Sequence, residues 1–260
     1  MIYERLLIDG AVLTIYAPSN FASFNEGTRR PFMLICPGGG YERCSDREAE
    51  PVAIRFMALG YACAVLRYTV CPEGYWPVSL HQLAHSVTYI RNHCTKYFAD
   101  PDRIYVMGFS AGGHLAACLG TMWREISDDC RPDALVICYP VISSGEYEHK
   151  GSFRNLLGDR YNDLKDSLSL ENRVTPLTPP SFIWHTTADE SVDYRNSVLF
   201  AQALEKCGIP YELKLFSSGG HGLSLADESV ISTRHREINR EVSVWPELAD
   251  SWLRKYSFTK

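Results

Sequence analysis

The chain has 260 residues, 26 Lys plus Arg against 31 Asp plus Glu for a formal charge of −5, and 45% hydrophobic with 22% charged residues. That is the composition of an ordinary globule, not of a disordered or membrane-embedded chain, and the length suits one domain over 1–260. The positive residues form no dense block, which argues against nucleic acid as a partner, and no apolar stretch is long enough to span a bilayer.

The N-terminal run MIYERLLIDGAVLTIYAP alternates apolar and polar positions around Asp9-Gly10. It reads as a β-hairpin, not as the basic and apolar regions of a secretion signal, so a soluble cytoplasmic protein is expected. Residues 31–35 form an apolar run that stops at Pro37-Gly38-Gly39-Gly40, a strand ending in a permissive loop. A helix is expected over 46–59 and a buried strand over 61–67. A longer helix is expected over 78–96, where Leu80, Leu83, Val87 and Ile90 recur at helical spacing after Pro77. Strand 103–107 then runs through Gly108-Phe109-Ser110-Ala111-Gly112 into a helix of small residues. Further strands are expected at 132–139, 180–185 and 211–216, with helices over 192–207 and 244–256. Strand alternating with helix implies parallel strands joined by right-handed crossovers and covered on both faces. The expected fold is therefore a three-layer α/β/α sandwich with a mainly parallel sheet.

Residues 141–178 break this rhythm, being polar with one short helix expected at 152–157. So long a connection, placed before the strand that should carry an acid, is expected to form a small cap or lid; the alternative is a peripheral excursion packed away from the site.

The segment Gly108-Phe109-Ser110-Ala111-Gly112 joins a hydrophobic strand to a helix through a serine flanked by glycines at plus and minus two. A turn of this kind strains the serine backbone, and the glycines leave room where a Cβ would collide. An active serine needs a base, and the base needs an acceptor that fixes its tautomer. Chain order places the acid after a later strand and the histidine near the last one. Asp189 lies just beyond a strand in His185-Thr186-Thr187-Ala188-Asp189, where its structural alternative is a helix N-cap. Glu190 and Asp193 rank below it. His221 lies on a glycine-rich loop after the final strand, in Gly219-Gly220-His221-Gly222. Of the other histidines, His81, His85 and His93 fall within a helix, His149 and His235 lie in polar segments, and His185 precedes Asp189. His114 is the competitor, but one helical turn beyond Ser110 it is better placed to pack beneath the turn. The N–H of Ala111, at a helix N-terminus, and those of Gly39 and Gly40 are the candidate oxyanion donors; a simple tight turn is the alternative for the glycines. The glycines fit neither a phosphate-binding P-loop nor a dinucleotide fingerprint, and no compact metal motif occurs, so no cofactor or metal is expected.

The nine cysteines are odd in number and include no CxxC pair. They read as small buried hydrophobes, with Cys44 and Cys71 in loops near the site as candidates for a reactive thiol. Tyr41, Tyr68, Tyr75 and Trp76 fall on loops at the presumed C-terminal edge of the sheet. They are candidates to line a substrate pocket, although a chain with 15 Tyr and 5 Trp brings aromatics near any site without selection.

In the order PGGGY (37–41), GFSAGGHLA (108–116), HTTADESV (185–192) and GGHGLSLA (219–226), the chain resembles the α/β-hydrolase superfamily. Within it, the chain resembles the small acyl esterases that include acetyl xylan esterase-like and BD-FAE-like proteins. The resemblance covers nearly the whole chain. It implies Ser110 as nucleophile, His221 as base, Asp189 as its orienting acid, and Gly39, Gly40 and Ala111 at the oxyanion positions. Many relatives carry histidine where Pro37 stands, which removes a side chain that could brace the loop and leaves the backbone donors. The implied activity is hydrolysis of short-chain acyl esters, foremost O-acetyl groups of xylan-derived oligosaccharides. General carboxylesterase, amidase or formamidase, prolyl-oligopeptidase-like and noncatalytic binding roles are the alternatives. The expected partner is a small acylated substrate, and a homo-oligomer through an edge strand or the last helix stays open.

Overall fold

The computed structural model describes residues 1–233 and 237–257; His235 lies outside them. The N-terminal alternation forms a hairpin, β1 (Ile2–Ile8) and β2 (Ala11–Ala17), turned at Asp9 and Gly10, which both adopt positive φ. The following strands are β3 (Arg30–Cys36), β4 (Ala62–Arg67), β5 (Ala99–Phe109), β6 (Ala134–Cys138), β7 (Ser181–Thr186) and β8 (Tyr211–Phe216). They form one sheet in the order β1-β2-β4-β3-β5-β6-β7-β8. The hairpin pairs antiparallel and every pairing from β4 through β8 is parallel.

Successive strand residues face opposite sides, so the sheet divides its apolar side chains between two layers. Phe32, Leu34, Val106, Ile137 and Ile183 pack beneath α2 (Val78–Asn92), α3 (Ala111–Met122) and α6 (Arg195–Lys206). Met33, Ile35, Met107, Val136 and Trp184 pack beneath α1 (Glu50–Ala58) and α7 (Trp245–Ser257). The fold is a three-layer α/β/α sandwich, as the alternation of elements implies. The insertion between β6 and β7 carries α4 (Lys150–Leu157) and the one-turn α5 (Tyr161–Leu164).

The helix expected over 78–96 ends at Asn92, and three further boundaries differ from the sequence pattern for a local reason. The helix expected over 46–59 splits at Ala49 into a 3-10 turn, Asp46–Glu48, and α1, because Pro51 fits only the first turn of a helix. The helix expected from 192 starts at Arg195, because the carboxylate of Asp189 takes the N–H groups of Ser191 and Val192, both at 2.9 Å, and holds that stretch in a turn. Strand β5 begins at Ala99, earlier than the turn-like Asp100-Pro101-Asp102 would indicate, because Ala99 pairs with Arg30 before a register shift.

His114, on α3, is fully buried and ties two loops to this scaffold. Its Nε2–H donates to the Leu168 carbonyl in the insertion (3.1 Å), so Nδ1 is the acceptor for the hydroxyl of Tyr41 (2.9 Å). Burial pushes its pKa down to about 4 from an ordinary 6.5, against the opposing effect of the Leu168 carbonyl. The folded state thus keeps this imidazole neutral where the unfolded chain would protonate it. Stability present above pH 6.5 is lost as the pH falls towards 4, by about 3 kcal/mol at most from this group. Glutamine can supply a donor where Nε2 stands. Denaturant unfolding of His114→Gln should therefore show a shallower loss of stability between pH 6.5 and 4 than wild type, by ~1.4 kcal/mol per pH unit. Parallel curves for the two proteins would place the acid sensitivity elsewhere.

Candidate active site

Ser110 stands between β5 and α3 with φ 52° and ψ −117°, a conformation that L-residues rarely adopt. A Cβ at Gly108 would run into the backbone of Gly112, and one at Gly112 into the carbonyls of Cys36 and Pro37. Only glycine at both positions lets the strand, the helix and the loop after β3 meet at one point. The serine N–H bonds to the Cys138 carbonyl (3.0 Å), and its own carbonyl accepts from His114 (3.0 Å) and Val141 (3.2 Å).

Ser110 Oγ lies 2.9 Å from His221 Nε2, and His221 Nδ1 lies 2.6 Å from Asp189 Oδ2. A second chain meets the same carboxylate from behind. His185 Nε2 is 3.1 Å from Asp189 Oδ2, and His185 Nδ1 is 2.8 Å from Ser197 Oγ. Two Ser–His–Asp arrangements therefore share one acid. Ser197 and His185 are sealed at 0% exposure, whereas Ser110 and His221 both line a cavity of about 330 Å³. A nucleophile must touch its substrate; among these two serines Ser110 opens to the cavity and Ser197 is closed off from it.

Burial of Asp189 opposes its ionisation, but hydrogen bonds from His185 and His221, the charge of His221 and the Val192 N–H together hold its pKa well below the ordinary carboxylate range. Burial lowers the pKa of His185 against its bond to Asp189. It stays a neutral imidazole that donates to the acid through Nε2 and accepts from Ser197 through Nδ1.

Gly39 and Gly40 line the cavity beside Ser110, and Ala111 opens α3. Among the described residues, no hydrogen bond engages the N–H groups of Gly39, Gly40 or Ala111. Gly38 differs, since its N–H donates to Glu48 Oε2 at 2.8 Å. Glu48 is 4% exposed, and its other oxygen accepts from the Tyr139 hydroxyl (2.7 Å), whose ring packs edge-on against His221 at 5.2 Å between centroids. Arg47 donates to the carbonyls of Gly222 and Val230, each at 2.6 Å, and Ser224 Oγ donates back to the Arg47 carbonyl (2.6 Å). The turn at residues 46–48 thus clasps the glycine loop on one side and the histidine loop on the other.

None of the four aromatic residues expected in the substrate pocket lines this cavity. Tyr41 and Tyr68 are buried beneath the glycine loop, where Tyr41 meets His114 and the Tyr68 hydroxyl donates to the Pro37 carbonyl at 2.7 Å. They brace the loop from inside, the task that a histidine at position 37 would share. Tyr75 is an exposed ring against Gly158, and Trp76 packs on the core with its backbone N–H bonded to the Leu156 carbonyl (2.8 Å). The cavity wall is instead polar, with Arg43, Ser45, His149, Asn155 and Ser191 among its residues. His149 and Asn155 come from the insertion, and Asn155 Nδ2 donates to the Gly40 carbonyl at 2.9 Å. Glu48 and Asn155 carried no motif in the sequence, and His185 entered only as the histidine that precedes Asp189 in HTTADESV.

All nine cysteines are free thiols. Burial pushes Cys44 up to about 11, and burial with Glu42 and Glu73 raises Cys71, so neither has the lowered pKa of a reactive thiolate. Among the described residues, no group of three His, Cys, Asp or Glu side chains could hold a metal ion, and no helix is long and apolar enough to cross a membrane.

Comparison with known proteins agrees with this architecture. The family model BD-FAE matches residues 13–204. The chain is 36% identical over 230 residues to endo-1,4-beta-xylanase B of Butyrivibrio fibrisolvens, an alignment covering 84% of this chain and 36% of that protein. It is 32% identical over 193 residues to an acetylxylan esterase of Xylanibacter ruminicola, covering 72% of this chain and 39% of the relative. The chain thus spans little more than a third of the length of these two curated relatives. Among solved structures it is similar to the acetyl ester-xyloside bifunctional hydrolase of Caldicellulosiruptor lactoaceticus, with TM-score 0.83 and 37% identity, covering 96% of this chain and 89% of that one. With a serine-hydrolase arrangement at the strand ends of an α/β/α sandwich and a family match over most of its length, the chain belongs to the BD-FAE family of the α/β-hydrolase superfamily.

Proposed function

We propose that the protein is a serine carboxylic-ester hydrolase that removes short acyl groups, foremost O-acetyl groups from xylan-derived oligosaccharides. The observation that carries the reading is the Ser110–His221–Asp189 hydrogen-bond chain opening into a polar cavity beside unengaged backbone N–H groups. His221 Nε2 takes the hydroxyl proton as Ser110 Oγ attacks the ester carbonyl. The N–H of Ala111, with those of Gly39 and Gly40, stabilises the oxyanion, and the proton on His221 passes to the departing alcohol. Water repeats the sequence on the acyl-enzyme. Asp189 holds the imidazole in the tautomer that leaves Nε2 free to accept, and carries the negative charge that balances the imidazolium.

The acyl preference and the alcohol are inferred from two supports. The cavity is small and polar, suited to a hydroxylated alcohol, and relatives bear the names acetylxylan esterase and acetyl ester-xyloside hydrolase. Residues 141–178 act as a partial cap in this reading, since His149, Gly151 and Asn155 form one wall of the site. The chemistry needs no metal or cofactor.

Acetate release from acetylated xylooligosaccharides and from an aryl acetate tests both parts. Ser110→Ala should lower kcat by at least about 10⁴-fold on either substrate, while Ser197→Ala should retain most activity and lose stability. The converse pattern would move the nucleophile to the buried chain. Asp189→Asn should keep the fold and lower kcat by about 10³ to 10⁴-fold, since the amide offers the imidazole the wrong hydrogen-bond partner. A wild type that cleaves the aryl ester alone would keep the triad and remove the sugar assignment.

A further inference from the structure

His149 precedes α4 and caps it, with its Nδ1 accepting from the Ser152 N–H at 3.3 Å and meeting Ser152 Oγ at 2.8 Å. An imidazole whose Nδ1 accepts carries its hydrogen on Nε2 in the neutral form. Burial lowers the pKa of His149, and the charge of His221 lowers it further, which favours that neutral form. His149 lines the cavity that holds Ser110 and His221. Six residues on, Asn155 has the complementary arrangement. Its Nδ2 is held by the Gly40 carbonyl at 2.9 Å, which fixes the amide and leaves Oδ1 as an acceptor without a partner among the described residues. Each side chain spends one polar atom on the scaffold and keeps another uncommitted, a donor on His149 and an acceptor on Asn155, and both residues line the cavity.

We propose that His149 and Asn155 form a hydroxyl subsite that selects esters whose alcohol carries a second hydroxyl next to the ester oxygen. His149 Nε2–H donates to the oxygen of that neighbouring hydroxyl, and the hydroxyl hydrogen is given to Asn155 Oδ1. A hydroxyl is one donor and an acceptor, so it satisfies both groups at once. An alcohol lacking it leaves two desolvated polar groups unpaired, which is how a site built to hydrogen-bond rejects a deoxy analogue. Because Asn155 also grips Gly40, the subsite is joined to the loop that carries the candidate oxyanion donors. The inference rests on ester hydrolysis at Ser110 and names the alcohol class that this site takes.

The test compares kcat/KM for trans-2-hydroxycyclohexyl acetate, cyclohexyl acetate and acetylated xylobiose. His149→Asn keeps a side-chain acceptor able to cap α4 and removes the distal donor, and His149→Ser does the same with a second cap. His149→Gln restores a donor near the Nε2 position. Wild type should prefer the hydroxy ester. His149→Asn and His149→Ser should lower the ratio of kcat/KM for the hydroxy ester to that for cyclohexyl acetate by roughly tenfold and weaken cleavage of the sugar ester, and His149→Gln should recover the preference. An unchanged ratio of hydroxy to deoxy ester in the folded Asn and Ser variants would overturn the subsite, even if wild type deacetylates xylobiose. A His149-dependent preference for the hydroxy ester in an enzyme inactive on acetylated xylobiose would support the subsite and discard the sugar reading.

Discussion

The backbone of Ser110 is the constraint from which the site is built. A φ of 52° at a non-glycine residue costs of the order of 1–3 kcal/mol, and it persists only where the surroundings over-determine it. Here they do so on every side. The serine N–H is held by the end of β6, its carbonyl by α3 and by the first residues of the insertion, and glycines at 108 and 112 admit backbone where side chains would stand. The apolar layers on both faces of the sheet anchor these elements independently of the turn, so relaxing the serine would mean displacing packed strand and helix together. The same strain lifts Oγ out of the hydrogen-bond ladders and towards the cavity.

Around Asp189 the donors and acceptors balance. Oδ1 accepts from the N–H groups of Ser191 and Val192, and Oδ2 from His185 and His221. Four donors occupy the roughly four lone-pair sites of a carboxylate, which leaves no vacancy for a proton and explains why the group remains ionised although buried. An acid arranged in this way orients its imidazole and stabilises its charge without taking the proton itself. His185 has a distinct part in this balance. By donating from the closed side it fixes the carboxylate from a direction that substrate and water cannot reach, and the Val192 carbonyl, which can only accept and lies 3.0 Å from the same Nε2, fixes the tautomer of His185, so that Ser197 Oγ donates to Nδ1. A buried chain with the letters of a triad thus braces the acid that it shares with the chain open to the cavity.

What could be read from the sequence follows from how locally each feature is encoded. The elbow at Ser110, the carboxylate after β7 and the histidine after β8 are each set by a strand end and a few flanking residues, so their positions along the chain suffice to predict that they converge. The partners that hold them are set by tertiary approach instead. Glu48 stands in the run Ser45-Asp46-Arg47-Glu48-Ala49-Glu50, whose charges read as the exposed face of a helix, and only the approach of Tyr139 and Gly38 makes it a buried double acceptor. Tyr41 and Tyr68 show the opposite case. Their position after strand ends is right for a pocket, but the gap beneath the glycine loop is filled by large rings, and a Tyr hydroxyl can reach a polar partner from within the core. The polar wall built by the insertion was equally hidden, because which side of a long connection faces the cavity is decided by how α4 packs.

These partners matter because the groups proposed to do the chemistry sit at strand ends and on glycine-rich loops, which need support from outside to be ordered. Fixing one backbone residue costs about 1–2 kcal/mol, and the loop carrying His221 has glycines at 219, 220 and 222, which lose the most freedom. Left alone, such a loop would sample many positions and spend little time with Nε2 against Ser110. Arg47 draws in the carbonyls of Gly222 and Val230, Thr186 Oγ1 donates to the Gly219 carbonyl at 2.7 Å, and the Tyr139 hydroxyl holds the Ser224 N–H at 2.9 Å. Tyr139 is held in turn by Glu48, which also fixes Gly38 next to the candidate oxyanion donors. The glycine loop and the histidine loop are therefore tied to a single three-residue turn, and in the proposed reaction the geometry that a tetrahedral intermediate requires is organised before substrate arrives, so that little of the binding energy is needed to assemble it.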